Sequence, residues 1–453
     1  MPLDVIVLAA GQGKRMRSEL PKVLHPIAGR PLLAHVLDAA RALGPRKTVV
    51  VHGHGAEKVR AAFADAGVEW VLQSEQLGTG HAVKQAMQHI GADADVLILY
   101  GDVPLVRSQS LKRLVEAARD GVAVMTAEVD DPTGYGRILR SPSGAVERIV
   151  EQKDASSGER AIREINAGFM ALGARRLAGW LAKIDNRNAQ KEYYLTDVVT
   201  LAVNEGVPVS GIKVDDAAEV AGVNSKRELA ALERAFQRQQ AGRLLEDGVS
   251  LADPARIDVR GALECGRDVS IDVNCIFEGH VVLGDRVRIG PNCVLRNVSI
   301  APDSEVHAFS HLEDSQIGRR CRVGPFARLR PGSSLADEVH IGNFVEVKAS
   351  RIGAASKANH LSYIGDAELG ARVNVGAGTI TCNYDGAAKH RTVIEDDCFI
   401  GSDATLVAPV RIARGSYIGA GSTISKDTPA GQLTVARARQ VSIPSWKPPK
   451  KKG

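Results

Sequence analysis

Residues 317–347 read IGRRCRVGPFARLRPGSSLADEVHIGNFVEV, with an aliphatic residue at every sixth position from the first to the last. The same period runs through residues 283–295 and 394–424. A hexapeptide period is typical of a parallel β-helix, in which each repeat supplies a strand and a turn and points its aliphatic side chain into the prism. The period therefore predicts a β-helix domain over residues 248–453.

Two intervals interrupt the six-residue step. Val347 to Ile364 contains Lys348 and His360, and Val375 to Ile394 contains the stretch Asn-Tyr-Asp at residues 383–385. Irregular segments on a rigid solenoid often carry function, so we interpret these two intervals as irregular segments that contain functional residues. The alternative is an insertion without a role.

Residues 1–226 follow a different pattern, in which short aliphatic runs alternate with amphipathic helical stretches. This alternation predicts a layered α/β domain with parallel strands. The predicted strands are Val5–Leu8, Thr48–Val51, Glu69–Leu72, Val96–Tyr100 and Val122–Ala127.

A long helix is predicted between the two halves, over residues 227–247. Ser225 and Glu228 form a capping-box pattern, and Gly248 stops the helix. Counted from its cap at Ser225 to Asp247, at 1.5 Å per residue, this linker helix would span ~34 Å.

Composition excludes several classes of protein. The 453 residues include 58 basic and 53 acidic side chains, and 44% of the residues are hydrophobic, as in an ordinary globular protein. Apolar runs are far shorter than the roughly 18 residues of a membrane span. We therefore predict a cytoplasmic protein that binds neither membrane nor nucleic acid. The six cysteines form no Cys-x-x-Cys pair, and the Lys-rich end is predicted to be a disordered tail.

A glycine-rich loop follows the first predicted strand. Gly11 and Gly13 are succeeded by Lys14, Arg15 and, after a short spacer, Lys22. Exposed backbone N–H groups with nearby positive charge are suited to binding phosphates, although a plain strand-to-helix turn would have a similar pattern.

Asp102 ends another predicted strand, at the sheet edge where α/β proteins bind ligands. A carboxylate there suits Mg²⁺, which takes one or two protein ligands together with substrate phosphates. The alternative is an aspartate that only caps a turn.

These motifs together carry a resemblance to the sugar-nucleotide pyrophosphorylase family. The motifs are Leu8–Met16, Pro21-Lys22, Gln73, Leu77–Gly80, Tyr100–Asp102, Gly134–Ile138 and Val150–Lys153. With the hexapeptide half, the whole chain resembles the bacterial bifunctional N-acetylglucosamine-1-phosphate uridyltransferases and glucosamine-1-phosphate N-acetyltransferases. Lys14 departs from the threonine that is common in related loops.

The resemblance implies a fold and two reactions. The fold is a Rossmann-like nucleotidyltransferase domain, a linker helix and a left-handed parallel β-helix. One reaction moves an acetyl group from acetyl-CoA to glucosamine 1-phosphate. The other moves uridylyl from UTP to N-acetylglucosamine 1-phosphate with Mg²⁺, and it releases pyrophosphate. The product would serve peptidoglycan and lipopolysaccharide synthesis.

The resemblance also implies site residues in the first half. Lys22 and Arg15 would face the phosphates as catalytic cations, and Asp102 and Asn224 would be the metal ligands, although Asn224 has a competing role beside the capping box. The implied UTP and UDP-sugar contacts are Leu8, Ala9, Ala10, Gly11, Lys22, Gln73, Gly78, Thr79, Tyr100, Gly101, Asp102, Gly136, Glu151, Asn166 and Asn224.

In the second half, the resemblance implies that His360 is the base for acetyl transfer. On spacing alone, His360 could equally be a hydrogen-bonded surface histidine. The implied glucosamine 1-phosphate contacts are Arg330, Lys348, Tyr363 and Asn374. The implied acetyl-CoA contacts are Ala377, Asn383, Tyr384, Ser402, Ala420 and Arg437.

The family also implies a homotrimer with active sites between prisms. Two alternatives remain open from the residues: a monofunctional sugar-nucleotide pyrophosphorylase with a structural or regulatory β-helix, and a solenoid interaction protein with a degenerate nucleotidyltransferase domain.

Overall fold

The computed structural model describes residues 1–448, which form two compact units that divide between Phe236 and Gln237. Residues 450–452 of the predicted disordered tail lie outside the described residues. No helix within the described part of the chain is long and apolar enough to cross a membrane.

The first unit alternates strands and helices along the chain. Its elements are β1 (Leu3–Ala9), β2 (Pro26–Ile27), β3 (Arg30–Pro31), α1 (Leu32–Arg41), β4 (Lys47–His52), α2 (Ala56–Ala62), β5 (Glu69–Leu72), α3 (Thr79–Ala86), β6 (Asp95–Tyr100), α4 (Ser108–Ala117), β7 (Val122–Glu128), β8 (Arg137–Arg140), β9 (Val146–Val150), α5 (Ser157–Arg160), β10 (Glu164–Gly173), α6 (Ala174–Leu181), α7 (Asp197–Asn204) and β11 (Val209–Lys213). Short 3-10 turns occupy Lys14–Met16, Lys22–Leu24, Met87–His89 and Ala217–Val220.

The main sheet has the strand order β11-β7-β10-β6-β1-β4-β5 and buries apolar side chains on both faces. All five predicted strands are present. The sheet also contains β10, a strand that was not predicted, which is antiparallel to β6 and β7. A strand parallel to β7 would need a crossover connection, usually a helix. The connection from β7 to β10 instead contains the β8–β9 hairpin and the four-residue α5, and β10 returns antiparallel.

Helix α8 (Lys226–Glu246) continues the chain from the first unit into the second. The Ser225 Oγ accepts a hydrogen bond from Glu228 N at 3.3 Å, and the Glu228 carboxylate accepts one from Asn224 N at 2.6 Å. These two bonds satisfy N–H groups that a helix start leaves unpaired.

The second unit consists of short parallel strands. They are β12 (Ser250–Leu251), β13 (Ile257–Cys265), β14 (Ser270–Ile271), β15 (Cys275–Leu283), β16 (Arg288–Ile289), β17 (Val294–Ile300), β18 (Glu305–Val306), β19 (His311–Ile317), β20 (Arg322–Val323), β21 (Arg328–Leu329), β22 (Ser333–Leu335), β23 (His340–Asn343), β24 (Glu346–Lys348), β25 (Arg351–Ile352), β26 (Lys357–His360), β27 (Tyr363–Gly365), β28 (Ala367–Leu369), β29 (Asn374–Val375), β30 (Ile380–Cys382), β31 (Thr392–Ile394), β32 (Phe399–Ile400), β33 (Thr405–Val407), β34 (Val410–Ile412), β35 (Tyr417–Ile418), β36 (Thr423–Ile424) and β37 (Leu433–Thr434).

These strands stack into a parallel β-helix. One face runs β12-β14-β16-β18-β20-β23-β26-β29-β32-β35-β37, and the other two faces join through β19, which pairs with both β21 and β22. The inward aliphatic side chains form one continuous buried core. The six-residue period therefore marks the residues that fill the prism.

One expectation about the interrupted intervals is wrong. Between Val347 and Ile364 the chain stays in the coil, with Ile352 and Ala358 buried at the inward positions. The six-residue pattern did not reveal this coil, because the step from Val347 to Ile352 is five residues and the next inward residue, Ala358, is a small alanine. Between Val375 and Ile394, by contrast, a loop leaves the coil after β30 and is closed by a bridge between Tyr384 and Lys389.

Candidate active sites

A cavity of about 440 Å³ lies in the first unit, at the carboxyl ends of β1 and β6. The predicted residues that line this cavity are Leu8, Ala9, Ala10, Gly11, Lys22, Gln73, Gly78, Thr79, Tyr100, Asp102 and Asn224. The predicted residues outside its lining are Arg15, Gly101, Gly136, Glu151 and Asn166. The fold thus brings five separate stretches of the sequence to one opening.

The glycine-rich loop is shaped around Lys22. Gly13 has a φ of +62°, and a Cβ atom there would lie 2.9 Å from the Cβ of Lys22. The position therefore favours glycine both for its left-handed backbone and for the close approach. Arg15 lies on the following 3-10 turn with its side chain exposed to solvent.

The Lys22 ammonium lies between two oxygen atoms. It forms an ion pair with Asp102 and donates a hydrogen bond to Oδ1 of Asn224 at 3.2 Å. Asn224 combines its two roles, because its backbone N–H takes part in the start of α8 and its side chain faces Lys22. Asp102 and Asn224 thus direct oxygen atoms at one cationic point.

This donor set fits Mg²⁺. The ion prefers oxygen ligands and is usually held by one or two protein groups while substrate phosphates and water complete its coordination. No group of three or more His, Cys, Asp or Glu residues in the described chain could hold a metal ion. One carboxylate and one amide oxygen are what a phosphate-linked Mg²⁺ site requires from the protein.

Another part of the cavity lining comes from the loop before α3. Gly78 has a φ of +108°, and a Cβ atom there would lie 2.6 Å from the carbonyl oxygen of Tyr193. Gln76 and Glu192 also line the cavity, and the Nε2 of Gln76 donates to the carbonyl oxygen of Ala10 at 2.8 Å. Sequence reasoning missed both side chains, although Gln76 follows Gln73 by only three residues.

Gly136, Glu151 and Asn166 lie together beside the cavity. A Cβ atom on Gly136 would lie 3.5 Å from Oε2 of Glu151 and 3.6 Å from the Cβ of Asn166. Burial raises the pKa of the Glu151 carboxyl, and a hydrogen bond from Thr196 opposes this rise. These residues form a polar wall suited to the hydroxyl and amide groups of a sugar.

Tyr100 connects that wall to the cavity. Burial raises the pKa of its phenol, and the charge of Glu151 adds to the rise. A Cβ atom on Gly168 would lie 2.7 Å from the Tyr100 ring, so glycine allows the strand to pass against it. Gly101 donates its N–H to the carbonyl oxygen of Leu8 at 2.9 Å, which holds the end of β6 beside β1.

A second polar cluster lies on the surface of the β-helix, around His360. The imidazole Nδ1 lies 2.8 Å from Oδ1 of Asn343, on the preceding coil. Because an amide oxygen can only accept, Nδ1 carries the hydrogen and Nε2 keeps a free lone pair. The exposed His360 ring is therefore held in the tautomer that a general base needs. Sequence reasoning missed Asn343, which one coil of 17 residues separates from His360.

The predicted phosphate-binding cations each have a carboxylate partner. Arg330 Nη1 lies 2.8 Å from Glu346, and Lys348 Nζ lies 3.1 Å from Asp366. Asn383 donates hydrogen bonds to Asp366 and to the Tyr363 hydroxyl. Three predicted residues, Lys348, Tyr363 and Asn383, thus belong to one hydrogen-bonded network around Asp366.

Lys389 is a further cation of this cluster, which sequence reasoning missed. Hydrogen bonding between the two amines, together with Asp366, raises the pKa of Lys348, while the neighbouring Lys348 lowers the pKa of Lys389. The two amines are therefore close enough to share one anionic ligand. The available signal for Lys389 in the sequence was its position in the interrupted interval after Val375.

The predicted acetyl-CoA contacts lie along successive coils. Ala377, Ser402 and Ala420 each follow by two positions the aligned residues Val375, Ile400 and Ile418. Arg437 Nη1 donates to the carbonyl oxygen of Ala420 at 2.6 Å. Asn374 precedes this column on β29, and Tyr384 is 61% exposed on the loop.

An exposed aromatic column, Phe309–Phe326–Phe344, lies on neighbouring coils. The ring centroids are 5.0 Å apart for the first pair and 5.2 Å for the second. Leu361 occupies the corresponding turn of the next coil, directly after His360, and is 63% exposed. All four residues have a positive φ, which is unusual for bulky side chains.

Three family models match the chain. The MobA-like NTP transferase domain matches residues 5–191, the GMPPB C-terminal domain matches residues 259–361, and the bacterial transferase hexapeptide with six repeats matches residues 391–426. The first model covers the strands that form the cavity. The other two cover most of the β-helix.

Curated relatives match almost from end to end. The chain is 60% identical over 450 residues to Bifunctional protein GlmU of Chromobacterium violaceum, covering 99% of each chain. It is 61% identical over 452 residues to Bifunctional protein GlmU of Aromatoleum aromaticum, again covering 99% of each chain. It is 60% identical to that of Nitrosospira multiformis, covering 99% of this chain and 98% of the relative. With its transferase cavity and its hexapeptide prism, the chain belongs to the GlmU family of bifunctional proteins.

Proposed function

We propose that the cavity of the first unit and the His360 cluster of the second are the two active centres of this bifunctional enzyme. The enzyme transfers acetyl from acetyl-CoA to glucosamine 1-phosphate, and transfers uridylyl from UTP to N-acetylglucosamine 1-phosphate with release of pyrophosphate. Family membership disfavours both the monofunctional and the non-enzymatic alternative. The assignment of individual residues to each step is our proposal.

In uridylyl transfer, a phosphate oxygen of the sugar 1-phosphate attacks the α-phosphorus of UTP. Both reactants are anions, so positioning and charge neutralisation supply most of the catalysis. Lys22 neutralises the α-phosphate region from beneath the glycine-rich loop, and the exposed Arg15 contacts the departing pyrophosphate. Gly136, Glu151, Asn166 and Tyr100 hold the sugar, and Leu8–Gly11, Gln73, Gly78 and Thr79 hold the nucleoside.

Asp102 and Asn224 would hold Mg²⁺. When bound, the ion neutralises phosphate charge and orients the reacting oxygens. The convergence of both oxygen atoms on the Lys22 ammonium supports this assignment, since the same oxygens stabilise a positive charge at that point.

In acetyl transfer, Nε2 of His360 removes the proton from the amine of glucosamine 1-phosphate as nitrogen attacks the thioester carbonyl. The C–S bond then breaks, and CoA leaves as the thiol with the proton returned by the imidazolium. Arg330, Lys348 and Lys389 bind the sugar phosphate, and Arg330 can do so with two hydrogen bonds. Tyr363 and Asn374 position the sugar ring. Asn383, Tyr384 and the column of Ala377, Ser402 and Ala420, with Arg437, bind acetyl-CoA. The observation that supports this assignment is the 2.8 Å contact between Nδ1 of His360 and Oδ1 of Asn343, which leaves Nε2 as the ring nitrogen that can accept the proton.

The enzyme also forms a homotrimer in this proposal. The hexapeptide prism and the aromatic column of Phe309, Phe326 and Phe344 support it, since stacked rings that are roughly half exposed are suited to burial against another chain. The column runs directly to Leu361, beside His360, so a second copy seated on it would close the acetyl-transfer site.

Two substitutions and one metal removal test the assignment. In the full chain, Asp102→Ala should abolish formation of the UDP-sugar and leave acetyl transfer intact, whereas His360→Ala should do the reverse. EDTA should stop only the uridylyl transfer. Wild-type uridylyl transfer by the Asp102 variant would refute the metal role, and full acetylation by the His360 variant would refute the base.

A further inference from the structure

The buried side-chain amide of Gln73 is held in one orientation by its neighbours. Gln73 is 4% exposed, and its Nε2 lies 3.1 Å from the carbonyl oxygen of Gly78 and 3.1 Å from Nδ1 of His81. A carbonyl oxygen can only accept a hydrogen bond, so the nitrogen of the Gln73 amide must face Gly78. The reverse orientation would place two oxygen atoms against each other.

This orientation determines the tautomer of His81. With the NH₂ group of Gln73 as donor, Nδ1 of the ring must be the acceptor, and the ring hydrogen of a neutral imidazole is then on Nε2. That nitrogen lies 3.0 Å from the side-chain amide nitrogen of Gln85, one helical turn further along α3. Rotating the Gln85 side-chain amide by 180° exchanges its Nε2 and Oε1 atoms, and Oε1 of Gln85 then accepts the hydrogen bond from the Nε2–H of His81.

Oε1 is then the only polar atom of the Gln73 side chain that remains for a ligand. No residue within the described chain donates a hydrogen bond to it, and Gln73 lines the nucleotide cavity. An amide oxygen in this place accepts a hydrogen bond and repels a lone pair. It therefore distinguishes ring nitrogens that carry a hydrogen from those that do not.

We propose that His81 is a positioning residue for base specificity: its unprotonated Nδ1 holds the Gln73 amide so that Oε1 accepts the N3–H of uracil and repels the bare N3 of cytosine. This inference rests on the proposed uridylyl transfer. His81 itself does not contact the nucleotide. Without the His81 acceptor, the Gln73 amide keeps only its bond to the Gly78 carbonyl, so the orientation that presents Oε1 to the base is held less firmly and the reversed amide becomes more populated.

The test compares UTP with CTP in the full chain for four proteins: wild type, His81→Leu, His81→Phe and His81→Asn. The leucine and phenylalanine variants remove the acceptor, and phenylalanine keeps a ring beside Tyr193. The asparagine variant offers an amide oxygen close to the position of Nδ1. Acetyl transfer and the fluorescence of the buried Trp180 report whether each unit is folded.

We expect the ratio of kcat/KM for UTP to that for CTP to fall about tenfold in the leucine and phenylalanine variants, the worth of about one hydrogen bond. The loss should appear as a higher KM for UTP, with kcat at saturation nearly unchanged. The asparagine variant should restore the ratio. An unchanged ratio in folded His81→Phe, or an asparagine variant as unselective as the leucine variant, would overturn the role of His81. Absence of any UTP-dependent activity in the wild type would instead overturn the proposed function.

Discussion

The Lys22 ammonium is paired with the Asp102 carboxylate, and the two side chains are only 12% and 14% exposed. Removing one partner of such a pair leaves the other charge desolvated and unpaired, which costs more than the pair itself contributes. The pair also fixes the position of the Asn224 side chain relative to Asp102, because Lys22 simultaneously donates a hydrogen bond to Asn224. Substitution of Lys22 or Asp102 should therefore change both the KM for UTP and the kcat of uridylyl transfer.

Replacing Lys22 by methionine should lower uridylyl transfer at least about a hundredfold, because the substitution removes a charge that faces the reacting phosphates. Acetyl transfer should stay at the wild-type rate. A coupled assay for pyrophosphate release measures the first activity. Lys112→Met, an exposed lysine of α4, is the matched control and should change neither. Comparable loss in the control would mean that general surface charge, rather than Lys22, matters.

Asn343→Ala should lower kcat for acetyl transfer about tenfold and leave the KM for glucosamine 1-phosphate nearly unchanged, because the imidazole loses the partner that fixes its tautomer. Asn343→Asp keeps an acceptor for the ring N–H and should recover most of the rate. The added charge favours the imidazolium, so the acidic limb of its pH–rate profile should move to higher pH. Equal loss in both variants would argue that Asn343 only supports the fold.

Lys389→Met should raise the KM for glucosamine 1-phosphate about tenfold, with a smaller effect on kcat, because a phosphate bridging the two amines loses one charge-assisted hydrogen bond. Increasing salt should narrow the difference from wild type. Lys426→Met, an exposed lysine near β36, is the control. A KM unaffected by Lys389→Met would remove this lysine from the phosphate site.

Asp197→Asn should stabilise the first unit at neutral pH. Burial, together with Asp185 and Asp154, raises the pKa of the Asp197 carboxyl from 3.8 to about 6. A raised folded-state pKa means that the stabilising protonated form is complete below pH 4 and is lost as the pH rises through 6. The side chain is partly exposed, so we expect a gain of about 1–2 kcal/mol at pH 7.

This gain should shrink towards pH 4 and disappear below it, because the Asp197 carboxyl is then protonated in both the folded and the unfolded wild-type chain. Denaturant titration followed by fluorescence of Trp70 and Trp180 reports on the first unit. Asp120→Asn, at an exposed aspartate, should behave as wild type at every pH. A gain that is the same at pH 4 and pH 7 would exclude titration of Asp197 as its cause.

Phe326→Ser should weaken self-association, because Phe326 stacks with both Phe309 and Phe344 at the centre of the exposed column. Light scattering should give three times the chain mass of 48.2 kDa for the wild type and a lower mass for the variant. Acetyl transfer should fall with association, and uridylyl transfer should persist. A monomeric wild type with full acetyl transfer would reject the shared site. Tyr417→Ser, at a ring on β35 that is 55% exposed against 46% for Phe326, is the control.

The second active centre shows how far sequence reasoning reached. The six-residue period identified the prism, and the interrupted interval after Val375 contained Asn383 and Lys389. The other interval was misjudged, because Ala358 is too small to continue an aliphatic pattern although it fills the same inward position. Asn343 is the residue that lies one coil before His360. Because the length of a coil varies, the sequence does not give the register of these two strands, and the structure is needed to pair the two residues.

The amino-acid sequence by itself determined the local structure of both units. Inward aliphatic residues at every sixth position favour the prism, and glycines at positive φ favour the loops around Lys22 and Gly78, because these preferences act within a few residues of chain. Only the tertiary structure decided the antiparallel direction of β10, the approach of Lys22 to Asp102 and the bonds that orient His360 and Gln73. Those contacts join residues on different strands or coils, so they depend on strand order and register, which short-range preferences do not specify.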